Sequence, residues 1–148
     1  MKLRILLLSI ITLLLGSFAN RASACTCGES TVAEDRERAT AVFVGKVISK
    51  RKSNAVERDG VEVTLKVERV WKGMISERAI VYTGATDDLY PFVNLCATPF
   101  RLGQRYIVFA FGQDKFATDV CAGSGDFPYA NKVIRELGRG KRPMKSKP

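Results

Sequence analysis

The sequence predicts a mainly β protein: a small five-stranded Greek-key barrel with short flanking helices and two disulfides. Three observations carry that prediction. Short runs rich in Val, Ile, Phe and Tyr recur between Gly, Asp and Pro turn signals. A long connection, 84–103, interrupts those runs as a barrel of the OB-fold type requires, and the strands are too few for an immunoglobulin-like sandwich. Four cysteines, at 25, 27, 96 and 121, all follow an export-type N-terminus. An even number of cysteines in a short secreted chain reads as a disulfide framework.

The elements follow in order. Met1-Lys2-Leu3-Arg4 is basic and runs into the apolar stretch Ile5 to Leu15, broken only by Ser9 and Thr12. That stretch falls short of the roughly 20 residues a spanning helix needs, so 1–24 reads as a signal peptide and not as an anchor. Ala22-Ser23-Ala24 supplies the small-x-small cleavage site, and the cut makes Cys25 the first residue of the mature chain. A lipidated bacterial protein also starts at a cysteine. Ala22 stands where such signals usually carry Leu, however, and Arg21 adjoins it, which favours ordinary secretion, extracellular or periplasmic.

Thr31-Val32-Ala33-Glu34 fits a capping box, with 34–39 forming a short helix. Ala41 to Ser49 reads as a strand bent at Gly45, and the basic stretch Lys50 to Gly60 as a hairpin loop. Val61, Val63, Leu65 and Val67 alternate with Glu62, Thr64, Lys66 and Glu68, which gives the clearest strand, Val61 to Val70, ended by Trp71-Lys72-Gly73. Further strands are predicted at Ala79 to Thr83, Tyr106 to Phe111 and Phe116 to Val120, then a helix at Asn131 to Leu137 stopped by Gly138. Phe43, Tyr106, Phe109 and Phe111 read as core. No surface basics interleave with them, so no nucleic-acid face is predicted.

The full chain of 148 residues carries 24 basic and 15 acidic side chains, a net +9. Lys2, Arg4 and Arg21 leave with the signal peptide. Arg139, Lys141, Arg142, Lys145 and Lys147 crowd the last ten residues among Gly140, Pro143 and Pro148. The single domain, 25–138, is therefore nearly neutral. The tail 139–148 reads as a disordered basic end, with weak polyanion or membrane-surface contact as its alternative role.

Four cysteines allow three pairings. A Cys25–Cys27 ring across one residue strains disulfide geometry, so both N-terminal cysteines reach far along the chain. A zinc site at Cys25-Thr26-Cys27 lacks further ligands, and the chain has no histidine. Nor does a thioredoxin-like pattern support thiol exchange. Without histidine a Ser or Cys nucleophile lacks its usual base, and Asp87-Asp88 reads as a solvated loop rather than a calcium site, so no enzyme and no cofactor is expected.

Cys25-Thr26-Cys27 at a mature N-terminus, Phe43-Val44-Gly45, Val70-Trp71-Lys72-Gly73, Val81-Tyr82-Thr83 and cysteines at 96 and 121 resemble the netrin-like N-terminal domain of the tissue inhibitors of metalloproteinases. The resemblance implies the pairs Cys25 with Cys96 and Cys27 with Cys121. It also implies a secreted monomer that inhibits zinc metalloendopeptidases, its partners. The amine and carbonyl oxygen of Cys25 would chelate the target's catalytic zinc, with Thr26 entering the adjacent pocket. Cys27 and Gly28 would complete the wedge, and Asn94, Leu95 and Cys96 would extend its contact ridge. The alternative is a secreted binding or structural module in which the C-T-C motif serves only as a staple.

Overall fold

The computed structural model describes residues 25–53, 60–84, 96–113 and 115–145. Residues 1–24, expected to be a signal peptide, and Asp87-Asp88, Asn94 and Leu95 lie outside them. The element order is α1 (Val32–Arg38), β1 (Ala41–Lys52), β2 (Val61–Lys72), β3 (Arg78–Thr83), β4 (Arg105–Ala110), β5 (Phe116–Ala117), a 3₁₀ turn (Val120–Ala122), β6 (Gly125–Asp126) and α2 (Tyr129–Leu137). The six strands form one sheet in the order β5-β3-β2-β1-β4-β6, curled into a half-barrel. β5 runs parallel to β3, and its Ala117 exchanges both backbone hydrogen bonds with Phe111 at the end of β4, which draws the two sides of the curl together. The protein is thus a small OB-like β-barrel with two short helices and two disulfides.

The alternation in β2 produces its inner face. Val61, Val63, Leu65 and Val67 point into the barrel with Ala41, Phe43 and Val47 of β1, Ala79 and Val81 of β3, and Tyr106 and Val108 of β4. Buried Val, Leu and Phe side chains contribute roughly 1.5–3 kcal/mol each relative to exposure. β1 from Ala41 to Gly45 and β4 from Tyr106 to Ala110 are buried on both faces. Val42, Val44, Ile107 and Phe109 point outward, where Ala130 and Val133 of α2 cover them. Gly45 allows the bend between these regimes: a Cβ there would sit 3.0 Å from both Leu65 Cβ and the Lys66 carbonyl oxygen.

Four expectations change. β1 continues through Lys52, because Lys50, Arg51 and Lys52 pair with Val63, Glu62 and Val61, and Arg51 forms an ion pair with Glu62. The strand expected at Phe116 to Val120 stops at Ala117. Thr118 turns its hydroxyl to the Phe109 carbonyl, and the 3₁₀ turn follows. β6, with only two residues, makes a sixth strand where five were expected. The tail is not a loose end up to Met144. Lys141 exchanges backbone hydrogen bonds with Val70 at 2.7 and 2.8 Å, and Met144 bonds with Ile75 and Glu77 at 2.8 and 3.1 Å. Backbone donors and acceptors at the end of β2 and in the connection to β3 need partners whatever the side chains, and a basic segment supplies them as well as any other. Gly140 makes this approach sterically feasible, since a Cβ would lie 2.9 Å from the Trp71 ring.

Candidate functional site

The segment from Cys25 to Ser30 has no regular secondary structure and lies outside the barrel. Thr26, Cys27, Gly28, Glu29 and Ser30 are exposed, and Cys25 is half-buried. A polar segment of this kind would ordinarily fray. Two disulfides prevent it: Cys25 joins Cys96 and Cys27 joins Cys121, with Cα separations of 5.5 and 5.2 Å. This is the pairing that the resemblance implies. Thr26 is held between two covalent anchors with its side chain exposed.

The receiving side is itself braced. The Val120 N–H donates to the Cys96 carbonyl at 2.9 Å, so the two disulfides share one support. Asp119 accepts from the Cys121 N–H at 2.9 Å and caps the 3₁₀ turn. Beyond Cys96, Phe100 is buried in the barrel with its ring 4.7 Å from that of Tyr106. The Tyr106 hydroxyl donates to the Pro99 carbonyl at 3.0 Å and accepts from the Arg101 N–H at 2.9 Å. Burial raises the Tyr106 pKa from its ordinary value.

On the chain's other side α1 starts at once. Thr31 accepts from the Glu34 N–H at 3.3 Å while its own N–H donates to Glu34 Oε2 at 2.7 Å, completing the capping box. The hydrogen bond from the Thr31 backbone holds the Glu34 carboxyl below its ordinary value. The carboxylate of Asp35 packs against Gly123, where a side chain would collide with it, so α1 interlocks with the turn that carries Cys121. Glu29, Ser30, Thr31 and Glu34 line a shallow hollow of about 410 Å³ beside the exposed segment.

The structure therefore brings together Cys25, Thr26, Cys27, Gly28 and Cys96. Asp119, Phe100 and the Asp35–Gly123 contact support them and were not read from the sequence as site residues. Asp119 alone left a signal, an Asp two residues before a half-cystine, as in an Asx-type turn. No protein-family model matches this chain, and no curated protein matches it. All four cysteines are in disulfides, which leaves no thiol as nucleophile. Among the described residues no group of three or more His, Cys, Asp or Glu could hold a metal ion, and no helix is long and apolar enough to cross a membrane. The disulfides fit an oxidising compartment.

Proposed function

We propose that the mature protein is a secreted inhibitor of zinc metalloendopeptidases, of the kind its resemblance to tissue inhibitors of metalloproteinases implies. The observation that supports this most is the fixation of Cys25-Thr26-Cys27, with each cysteine tied to a braced partner and Thr26 exposed between them.

The chemistry turns on one nitrogen. While Ala24 precedes Cys25, that nitrogen is an amide whose lone pair is delocalised. Cleavage after Ala24 converts it to an amine with an ordinary pKa of about 7.7–8.0, and a metal readily takes the deprotonated form. The amine and the carbonyl oxygen of Cys25 then span one metal ion as a five-membered chelate. Bound to a protease zinc, they occupy the position of the attacking water. Thr26 would fill the adjacent pocket, and Gly28, Asn94, Leu95 and Cys96 would line the contact. The disulfides reduce the ordering cost of binding because the wedge is formed beforehand. In this reading the chain is no enzyme, carries no cofactor and acts as a monomer.

The test compares the mature protein with a form carrying one extra Ala before Cys25, across a panel of zinc endopeptidases. The native N-terminus should inhibit; the extended one should not, although both disulfides remain intact by mass. Equal inhibition, or none from either at micromolar concentration, would replace this reading with that of a binding or structural module.

A further inference from the structure

The strand register places Lys46 opposite Lys66 on β1 and β2, Lys66 opposite Arg78 on β2 and β3, and Lys46 opposite Arg105 on β1 and β4. Four cations thus stand in one line across four adjacent strands, in the order Arg78, Lys66, Lys46, Arg105. All four are exposed, while their chain neighbours Ala79, Leu65, Val47 and Tyr106 point into the barrel. At the usual strand spacing the line is about 14 Å long.

Such a line is unfavourable for the sheet. Like charges directly opposite weaken strand pairing, and here three such pairs follow one another. Elsewhere on the same face the signs are mixed, as in Arg51 with Glu62. Among the described residues, Arg105 alone in the line has an acidic partner, Glu68 at 2.6 Å. Lys46, Lys66 and Arg78 have no ion pair among the described residues. The positive region also continues beyond the line. Glu68 borders a hollow of about 720 Å³ whose other walls are Arg69 and the docked tail residues Arg139, Gly140, Lys141 and Arg142. Docking of the tail therefore adds its charge to that of the sheet.

We propose that this face binds a linear anionic polysaccharide, one bearing repeated sulfate or carboxylate groups, laid across the strands from Arg78 to Arg105 and on into the tail hollow. The site is independent of the N-terminal wedge. No aromatic side chain stands in the line itself. Phe127, under the Arg105 guanidinium at 4.7 Å, and Trp71 line the neighbouring hollow but are half-buried, so a single-stranded nucleic acid would find no run of exposed rings on which to stack successive bases. Because it crosses the strands, the line follows the curl of the half-barrel, which a flexible chain can track and a flat bilayer cannot. Glu68 competes with the ligand for Arg105.

Binding of the mature protein would be measured, over a salt series, to a heparin oligosaccharide, polygalacturonate, a single-stranded DNA oligomer and phosphatidylcholine–phosphatidylglycerol vesicles. The heparin and polygalacturonate arms separate sulfate from carboxylate as the preferred group, and binding to either one supports the proposal. The triple change Lys46→Gln, Lys66→Gln and Arg78→Gln should weaken it at least about tenfold and lower the log–log salt slope by about two to three. Lys46→Arg with Lys66→Arg should retain it, and Glu68→Gln should tighten it. Thermal unfolding of the Gln variant should be no lower than that of the native protein, since only repulsion is removed. The proposal is overturned if the Gln variant binds as tightly as the native protein, if only neutralising the tail matters, if DNA or vesicles are preferred, or if neither glycan binds.

Discussion

Cys25 divides its work between two atoms, the sulfur that staples the segment and the nitrogen proposed to chelate. Changes at its neighbour should separate these. Thr26→Gly leaves both sulfurs in place, so it should weaken inhibition less than an added Ala does and alter which proteases respond, with the disulfide masses unchanged. Thr31 sets the direction in which the chain leaves the site, and Thr31→Ala should cost about 1 kcal/mol in urea unfolding through loss of the cap. Its partner Glu34 has a folded pKa below the ordinary 4.5, first through the Thr31 backbone hydrogen bond. The stabilisation is therefore fully present above 4.5 and is lost as pH falls through the depressed folded value. Glu34→Gln should accordingly lose stability at neutral pH and flatten the acid limb, as read from urea midpoints across a pH series.

At the scale of elements, the loop after Cys96 depends on Phe100. Phe100→Ala should destabilise by about 3–5 kcal/mol, because a fully buried ring leaves a cavity in the barrel. It should also weaken inhibition without breaking the Cys25–Cys96 bond, since the support of Cys96 loosens. Tail removal at Gly138 should release the Val70 and Glu77 amides, which hydrogen exchange would report as lost protection at those two positions. The same elements show what the sequence makes legible. Val61 to Val67 and Thr31 to Glu34 advertise themselves, because alternation and capping are written in side chains. Gly125–Asp126 and the pairing of Lys141 with Val70 are not, since backbone hydrogen bonds have no side-chain signature. Lys50 to Lys52 looked like a loop for a related reason: what makes them a strand is the partner Glu62 across the hairpin. The site followed suit. The C-T-C motif is visible in the residues, whereas the packing of Asp35 on Gly123 exists only once the chain has folded.

For the molecule as a whole, the two disulfides span separations of 71 and 94 residues. In the chain-entropy model a loop of such length stabilises by roughly 4–5 kcal/mol, with less expected for each where loops overlap. Replacing Cys27 and Cys121 together by Ser should cost about 2–5 kcal/mol in reversible unfolding and free the N-terminal segment. The bonds also interlace along the chain, in the order Cys25, Cys27, Cys96, Cys121, with the first joined to the third and the second to the fourth. A single peptide cut anywhere from Cys27 to Cys96 therefore leaves both pieces bound by two covalent crosslinks, and a cut from Cys96 to Cys121 leaves them bound by one. Limited digestion should give one band on a non-reducing gel and two after reduction. A protein proposed to meet proteases at its N-terminus can thus be nicked in its interior and still not come apart.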